Sequence, residues 1–299
     1  MKIAAIDIGS NALRLFIADA KKEKKEILLE KLLHTRVPVR LGEDVFTFGK
    51  ISREKLDQLI LVLKGFDLII QSLGVENKRI CATSAVRSAE NRDEVVKRVK
   101  QECNLNLEIL SGEREAQMIF SNFHFYDLPK EGNYIFIDVG GGSTEITIIE
   151  KGDKKDSQSF EIGTVRMLLN EQSKLPKAIF SWLNQKLNKN LIYKAIGTGG
   201  NINSAIKILE KKQRELVSVE ELKSIMKTMS KLSKEQRMKK YKLRSDRADV
   251  IIPALNIYTQ IAEYAGVIDL LAPKFGLADG IVLEELSKFN IQHLKFISS

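Results

Sequence analysis

Apolar residues fall into two kinds of run along this chain. Lys2 to Ile8 and Tyr134 to Val139 are short and apolar on both faces, the pattern of strands buried between neighbours. Leu13 to Ala18 alternates, with Leu13, Leu15 and Ile17 on one face and Arg14 on the other, as in a half-buried strand. Ile27 to Val39 offers a third strand, so the chain opens as a β-meander with a charged tip at Lys21 to Lys25. Arg40 to Glu43 reads as a loop. From Ser52 the period becomes helical. Leu56, Leu59, Ile60 and Leu63 share a face, Ser52 is the cap, and Gly74 closes the helix after about Leu73. Arg79 to Thr83 reads as a strand running into a loop, Ser84 to Arg87. Asn91, with Glu94 at the third position, caps the next helix. Leu107 to Leu110 is a strand, and Ser111 caps a helix from Gly112 to Phe123.

Pro129 and Gly132 mark Tyr126 to Asn133 as the boundary between two domains, 1–126 and 127–299. Beyond it come a hairpin turn at Lys151-Gly152-Asp153, a return strand from Ser157 to Ile162, and helices over 163–170 and 175–189. A strand from Tyr193 to Ile196 precedes a glycine loop and a helix to Leu209. Ser218 with Glu221, and Ser233 with Gln236, form capping boxes. A helix over 248–265, a strand over 267–271 and a helix over 277–289 finish the chain. The last helix is free to pack back on the first domain.

The turns carry the chemistry. Residues 137–148 read IDVGGGSTEITI. Three glycines are out of place inside a strand, but they permit a tight turn whose N–H groups converge on an anion. Asp138 and Glu145 set two carboxylates beside it, as a hydrated magnesium ion needs. A plain hairpin with a loose turn is the simpler alternative. The unit occurs twice: IDIGSNALRL at 6–15 aligns Asp7 with Asp138, Gly9 with Gly140 and Arg14 with Glu145. Such a pair points to two like-built domains facing each other across a cleft, each with a phosphate loop. Gly197-Thr198-Gly199-Gly200-Asn201 adds a third anion-ready helix N-terminus. Arg87 is a candidate phosphate clamp, though a surface arginine is the simpler local reading. Glu115 is a candidate base or water-positioning group, though acids in a first helical turn are favoured by the helix dipole alone.

Composition narrows the rest. At 299 residues with 43% hydrophobic content, two packed cores are expected. Two cysteines suit neither a disulfide scaffold nor a zinc site, and three histidines argue against histidine-metal chemistry or a His-dependent triad. Met1 leads straight into a strand and no apolar run reaches membrane-spanning length, so a cytoplasmic protein with no membrane partner is expected. The net charge of +9 favours polyanions. No specific nucleic-acid motif is present, and the Lys- and Arg-rich span from Lys207 to Arg247 reads as a solvated helical surface or a landing strip for a polyanion.

Together these strings resemble the exopolyphosphatase / guanosine pentaphosphate phosphohydrolase family, within the actin/hexokinase/Hsp70 ATPase superfamily. The matching strings are IDIGSNALRL (6–15), VRLGED (39–44), ATSAVRSAEN (82–91), ILSGEREAQMIF (109–120), IDVGGGSTEITI (137–148), AIGTGGN (195–201) and RADVIIPAL (247–255). The resemblance implies an α/β fold of two actin-like (ribonuclease H-like) domains, each a mixed five-stranded sheet flanked by helices, with the phosphate chain in an interdomain cleft. It implies that Glu115 is the catalytic glutamate that activates water, and that Asp138 and Glu145 hold a magnesium or manganese ion, with Asp7 as a further acid. It implies that Gly9, Ser10, Asn11, Arg87 and Gly140, Gly141, Gly142, Ser143 and Thr144 bind phosphate; Gly197, Gly199 and Gly200 join them as the third loop. Two departures stand out. Long family members carry further C-terminal helical domains, so processive handling of long chains is not expected here. The family's arginine–glutamate pair after Gly-Leu is replaced by Ala278-Asp279.

The expected reaction is hydrolysis of the terminal phosphoanhydride of inorganic polyphosphate, with guanosine pentaphosphate (pppGpp), converted to the tetraphosphate, as a second substrate. An actin-fold small-molecule kinase and a catalytically silent alarmone or nucleotide sensor are the rivals. A homodimer is left open.

Overall fold

The computed structural model describes residues 1–23, 26–125, 131–212, 215–288 and 294–296, with the backbone alone at 22–23, 26–27, 124–125 and 294–296. Lys24 and Lys25 of the charged tip, residues 126–130 of the boundary segment, and Phe289 lie outside them.

The N-terminal meander comprises β1 (Lys2–Ile8), β2 (Leu13–Glu23) and β3 (Glu26–Val37). β1 is apolar on both faces because it is central: antiparallel β2 lies on one side and parallel β4 (Asn77–Ala82) on the other. β4 pairs in parallel with β5 (Leu107–Ile109). Helices connect these strands. α1 (Leu41–Phe48) replaces the loop expected at Arg40 to Glu43. α2 (Arg53–Ser72) begins where the Ser52 hydroxyl accepts the Lys55 N–H, and it buries Leu56, Leu59, Ile60, Leu63, Phe66 and Ile70. Gly74 follows with φ of 62°, a conformation that suits glycine.

α3 (Ser84–Ser88) turns the expected loop after β4 into a short helix. α4 (Arg92–Cys103) starts at Asn91, but the Asn91 side chain does not cap it. Its amide instead accepts from the Ile51 N–H and donates to the Ile51 carbonyl, both at 3.0 Å, tying α4 to the start of α2. α5 (Gly112–Ser121) is capped by Ser111, whose hydroxyl accepts the Arg114 N–H at 3.1 Å; a 3-10 turn, Asn122–Phe125, extends it.

The second half repeats the plan. β6 (Tyr134–Val139), β7 (Thr144–Glu150) and β8 (Asp153–Phe160) form an antiparallel meander, and β9 (Lys194–Thr198) pairs in parallel with β6. α6 (Thr164–Leu169) and α7 (Lys177–Lys186) precede β9, and α8 (Gly200–Ile208) follows it. β10 (Leu216–Ser218), α9 (Val219–Ser230), α10 (Lys234–Tyr241), α11 (Ser245–Ala248) and α12 (Ile251–Tyr264) come next, and β11 (Asp269–Leu271) pairs in parallel with β9. Both capping boxes form, at Ser218 with Glu221 and at Ser233 with Gln236. α13 (Leu277–Ser287) and β12 (Leu294–Phe296) end the chain.

The strand orders are β12-β3-β2-β1-β4-β5 and β10-β11-β9-β6-β7-β8. Each holds the expected mixed five-stranded sheet, three antiparallel strands then parallel ones, with one three-residue edge strand added. Contacts divide the chain into two units, Met1–Asp127 with Gly276–Ser299, and Leu128–Phe275. α13 therefore belongs to the first unit, where it packs on α5 and β1. Gly280 allows this approach: a Cβ there would stand 2.7 Å from the Met118 carbonyl carbon. No helix of the described residues is long and apolar enough to cross a membrane.

Candidate active site

In the first unit, β1, β4 and β5 run parallel, and each releases one site segment from its carboxyl end, where α/β proteins build their sites. β1 gives the turn Gly9-Ser10-Asn11, closed by the Gly9 N–H donating to the Ala12 carbonyl at 3.1 Å. β4 gives Thr83 and α3, with the Thr83 N–H donating to the Ile8 carbonyl at 3.2 Å. β5 gives Leu110, Ser111 and α5, with the Leu110 N–H donating to the Ala82 carbonyl at 2.9 Å. Strand pairing thus gathers residues far apart in sequence.

Arg87 and Glu115 meet at this point. The Arg87 Nη1 donates to the Leu110 carbonyl at 2.7 Å and to Glu115 Oε2 at 3.1 Å. Glu115 is buried at 7% exposure, although it lies in the first turn of α5, where a purely dipole-favoured acid could face water. Arg87 Nε and Nη2 donate to none of the described residues. Two edges of the guanidinium therefore remain for an anion while the third fixes Glu115.

The Gly9 turn is held from behind by a segment to which the sequence reading assigned no role. The Ser10 carbonyl accepts the Gly42 N–H at 2.8 Å, and the Asn11 carbonyl accepts the Arg40 N–H at 3.2 Å. Arg40 takes a left-handed conformation, φ 58°, to start α1, and its Nε pairs with Glu43 at 2.6 Å. Gly42 must be small, because a Cβ would lie 3.0 Å from Ser10 Cβ and 3.1 Å from the Ser10 carbonyl oxygen. With its carbonyl anchored, Ser10 keeps a buried hydroxyl that has no partner among the described residues. A buried hydroxyl needs a hydrogen-bond partner, and a phosphate oxygen would supply one.

The second unit repeats this turn with different side chains. The Gly140 N–H donates to the Ser143 carbonyl at 3.0 Å, matching the closure at Gly9. Here α6 takes up the carbonyls. Thr164 and Val165 donate to Gly140 and Gly141 at 3.0 and 2.8 Å, and Arg166 Nε donates to Gly142 at 2.8 Å. Gly163 permits the contact, since a Cβ there would sit 2.5 Å from the Gly141 carbonyl carbon and the Gly142 nitrogen. The N–H groups of Gly141, Gly142 and Ser143 donate to none of the described residues, the arrangement of an anion nest. Thr144, by contrast, is spent structurally: its hydroxyl donates to the Ile162 carbonyl at 2.7 Å.

Asp138 and Glu145 face each other in register across β6 and β7, as Asp7 and Arg14 do across β1 and β2. Both acids are buried, and each is oriented by a hydroxyl donor: Thr198 to Asp138, and Ser159 to Glu145 at 2.7 Å. Thr198 is fixed in turn by Tyr258, whose phenol donates to its carbonyl and whose pKa is pushed well up by complete burial. Among the described residues no three His, Cys, Asp or Glu side chains cluster as a metal cage. Magnesium needs none, since it keeps waters and substrate oxygens beside one or two carboxylates. Asp138 and Glu145 fit that donor set. Asp7 does not, because its carboxylate is ion-paired with Arg14.

At the third loop, Gly199 has φ of 114° and lies so close to Val139 that a Cβ would be 2.9 Å from its carbonyl oxygen. Arg247 lies over Gly200, its Nη1 donating to Asn201 Oδ1 at 2.9 Å. The expected site residues thus form two groups. Gly9, Ser10, Asn11, Arg87 and Glu115, with Asp7, belong to the first unit. Gly140 to Thr144, Asp138, Glu145, Gly197, Gly199 and Gly200 belong to the second.

The sequence profile described as the Ppx/GppA phosphatase family matches residues 17–289. The chain is similar to a bifunctional 3-dehydroquinate synthase/phosphatase of Fusobacterium nucleatum, with 29% identity over 94% of this chain and 46% of that protein. It is 30% identical to exopolyphosphatase 1 of Mycobacterium bovis over 56% of this chain and 48% of that one. It is 26% identical to the guanosine-5'-triphosphate,3'-diphosphate pyrophosphatase of Aeromonas hydrophila over 93% of this chain and 58% of that one. The chain therefore spans about half the length of these relatives. The crystal structure of the Aquifex aeolicus member of the family superimposes with a TM-score of 0.76 at 26% identity, over 98% of this chain and 99% of that one. The fold is thus the actin-like two-domain fold. Phosphatases of this family generally need a divalent metal.

Proposed function

The chain belongs to the Ppx/GppA phosphatase family, and from that premise we propose that it hydrolyses the terminal phosphoanhydride of inorganic polyphosphate, releasing orthophosphate. The observation that carries this reading is the Arg87–Glu115 pair: a buried carboxylate fixed at 3.1 Å to a guanidinium that keeps two N–H edges for phosphate. Water attacks the terminal phosphorus and forms the new P–O bond. Glu115 accepts its proton, and the bridging P–O bond breaks to leave a chain one phosphate shorter. Arg87 and the Ser10 hydroxyl hold equatorial oxygens of the group being transferred. The N–H groups of Gly141, Gly142 and Ser143 hold further phosphate oxygens. Asp138 and Glu145 would hold a divalent cation, which when bound offsets charge on the phosphate oxygens. Phosphoryl transfer asks mainly for positioning and charge stabilisation, which these groups provide.

Magnesium is the proposed ion, with manganese as substitute. pppGpp is the proposed second substrate, supported by the similarity to the Aeromonas pyrophosphatase. An acceptor-dependent kinase would leave the paired base and clamp without a shared role. Orthophosphate release by the purified protein with magnesium tests the reading on polyphosphate, pppGpp and ATP in parallel. Release from polyphosphate without an added acceptor is expected. Release from none of the three, or consumption of ATP only with an acceptor, would refute it.

A further inference from the structure

We propose that α10 and the turn into α11 form an accessory docking surface for the distal part of a linear polyanion, the polyphosphate tail beyond the reacting end. This rests on the polyphosphate reading above. Residues 231–247 carry eight Lys and Arg against two acids, so this short stretch holds six of the nine net charges of the chain. Charge alone would describe a solvated face. The difference is density without pairing. Among the described residues, Lys186, Lys211 and Lys223 of this unit meet Asp156, Glu221 and Glu263 at 2.6, 2.9 and 2.6 Å, and other lysines of the unit stand without such an acid more sparsely, whereas here four cations without an ion pair fall within 239–244. Lys239, Lys240, Lys242 and Arg244 are all exposed, and none has an ion pair among the described residues. Lys240 lies only over the Tyr241 ring, 5.4 Å from its centroid.

The backbone keeps these cations together. α10 buries no residue, and Lys242 ends it in a left-handed conformation, φ 51°, that turns the chain directly into α11. Arg237 fastens the arrangement, donating to the Met229 and Ala248 carbonyls at 2.9 and 3.0 Å. Arg244 occupies the N-cap position of α11 without a side-chain capping bond, and Arg247 is one turn further on, against Gly200 of the third glycine loop. The stretch that carries these cations thus reaches the loop read as phosphate-binding through Arg247.

The chemistry favours polyphosphate over nucleic acid. Unpaired cations attract any polyanion through counter-ion release, but single-stranded nucleic acid also needs aromatic faces for its bases. Tyr241 is the one aromatic residue in 231–247, and Lys240 lies over it.

The test replaces the four unpaired cations together, K239Q/K240Q/K242Q/R244Q, in the full chain. Binding of fluorescently labelled long-chain polyphosphate is measured by anisotropy without metal, across a salt series. Turnover of tripolyphosphate is measured separately, and thermal unfolding checks the fold. Affinity for the long chain should fall about tenfold or more at low salt, with a shallower salt dependence by about 2 to 3 in log–log slope. Turnover of tripolyphosphate should be unchanged. Unchanged long-chain affinity, or an equal loss of tripolyphosphate turnover in a folded variant, would overturn the proposal. So would tighter binding of single-stranded DNA than of polyphosphate by this surface in the unsubstituted protein. Absence of hydrolysis would count against the enzymatic reading and leave the binding result to decide this one.

Discussion

Arg87 combines two tasks in one guanidinium. Its Nη1 fastens Glu115 beside the Leu110 carbonyl, and its other edges face no described partner. Lysine can supply the charge but not the planar fork. Arg87→Lys should therefore lower kcat/KM by about 10- to 100-fold with little change in Tm. Arg87→Ala leaves a buried carboxylate without this cation, and should also cost up to about 3 kcal/mol of stability. Phosphate-release kinetics and thermal denaturation together check both, and identical behaviour of the two variants would contradict the dual role. Neither residue announced this pairing in the sequence. A surface arginine and a helix-dipole acid explained them singly, and their contact arises from the pairing of β4 with β5, which no local pattern displays. At the other extreme of reactivity, Cys81 is fully buried on β4, and burial pushes its thiol up to about 12. The thiolate is the reactive form and is scarce below that pH, so Cys81 should resist alkylation in the folded protein at pH 8 to about 9. Mass spectrometry should find it labelled only after unfolding; rapid labelling of the native chain would contradict its placement.

At the scale of elements, legibility followed pattern length. β1 and β6, the long helix α2 and both capping boxes stood out because period and cap agree over many positions. α1 did not. It is eight residues long, begins at a left-handed Arg40 and lacks a capping side chain, so VRLGED resembled a loop. β10 and β12 are three residues each, too short to show alternation. Asn91 and Glu94 had the right spacing for a cap, but tertiary contact with Ile51 took the asparagine. α1 matters because its first N–H groups hold the Gly9 turn. Gly42→Ala would press on Ser10 and should raise KM for polyphosphate while costing about 1–3 kcal/mol through overpacking. Steady-state kinetics with a melting curve would show this, and an unchanged KM would detach α1 from the phosphate turn.

Across the whole molecule, one plan is used twice with opposite electrostatics at equivalent positions. Asp138 faces Glu145 in the second unit, whereas Asp7 faces Arg14 in the first. The alignment of these residues was visible in the strings themselves; their engagement was not, because an ion pair and a hydroxyl-oriented carboxylate look alike as sequence. On the proposed reading, the cation belongs with Asp138 and Glu145 of the second unit. Asp138→Asn should raise the magnesium concentration needed for half-maximal activity, by about tenfold, while Asp7→Asn should not. A magnesium titration of each variant decides it, and equal shifts in both would place the ion differently.

The central claim is that Glu115 activates the attacking water, and the most direct measurement is orthophosphate release from polyphosphate by Glu115→Gln under single-turnover conditions, with polyphosphate binding measured alongside. Release should fall about 100- to 10,000-fold while binding persists. Turnover near that of the unsubstituted protein would contradict the account.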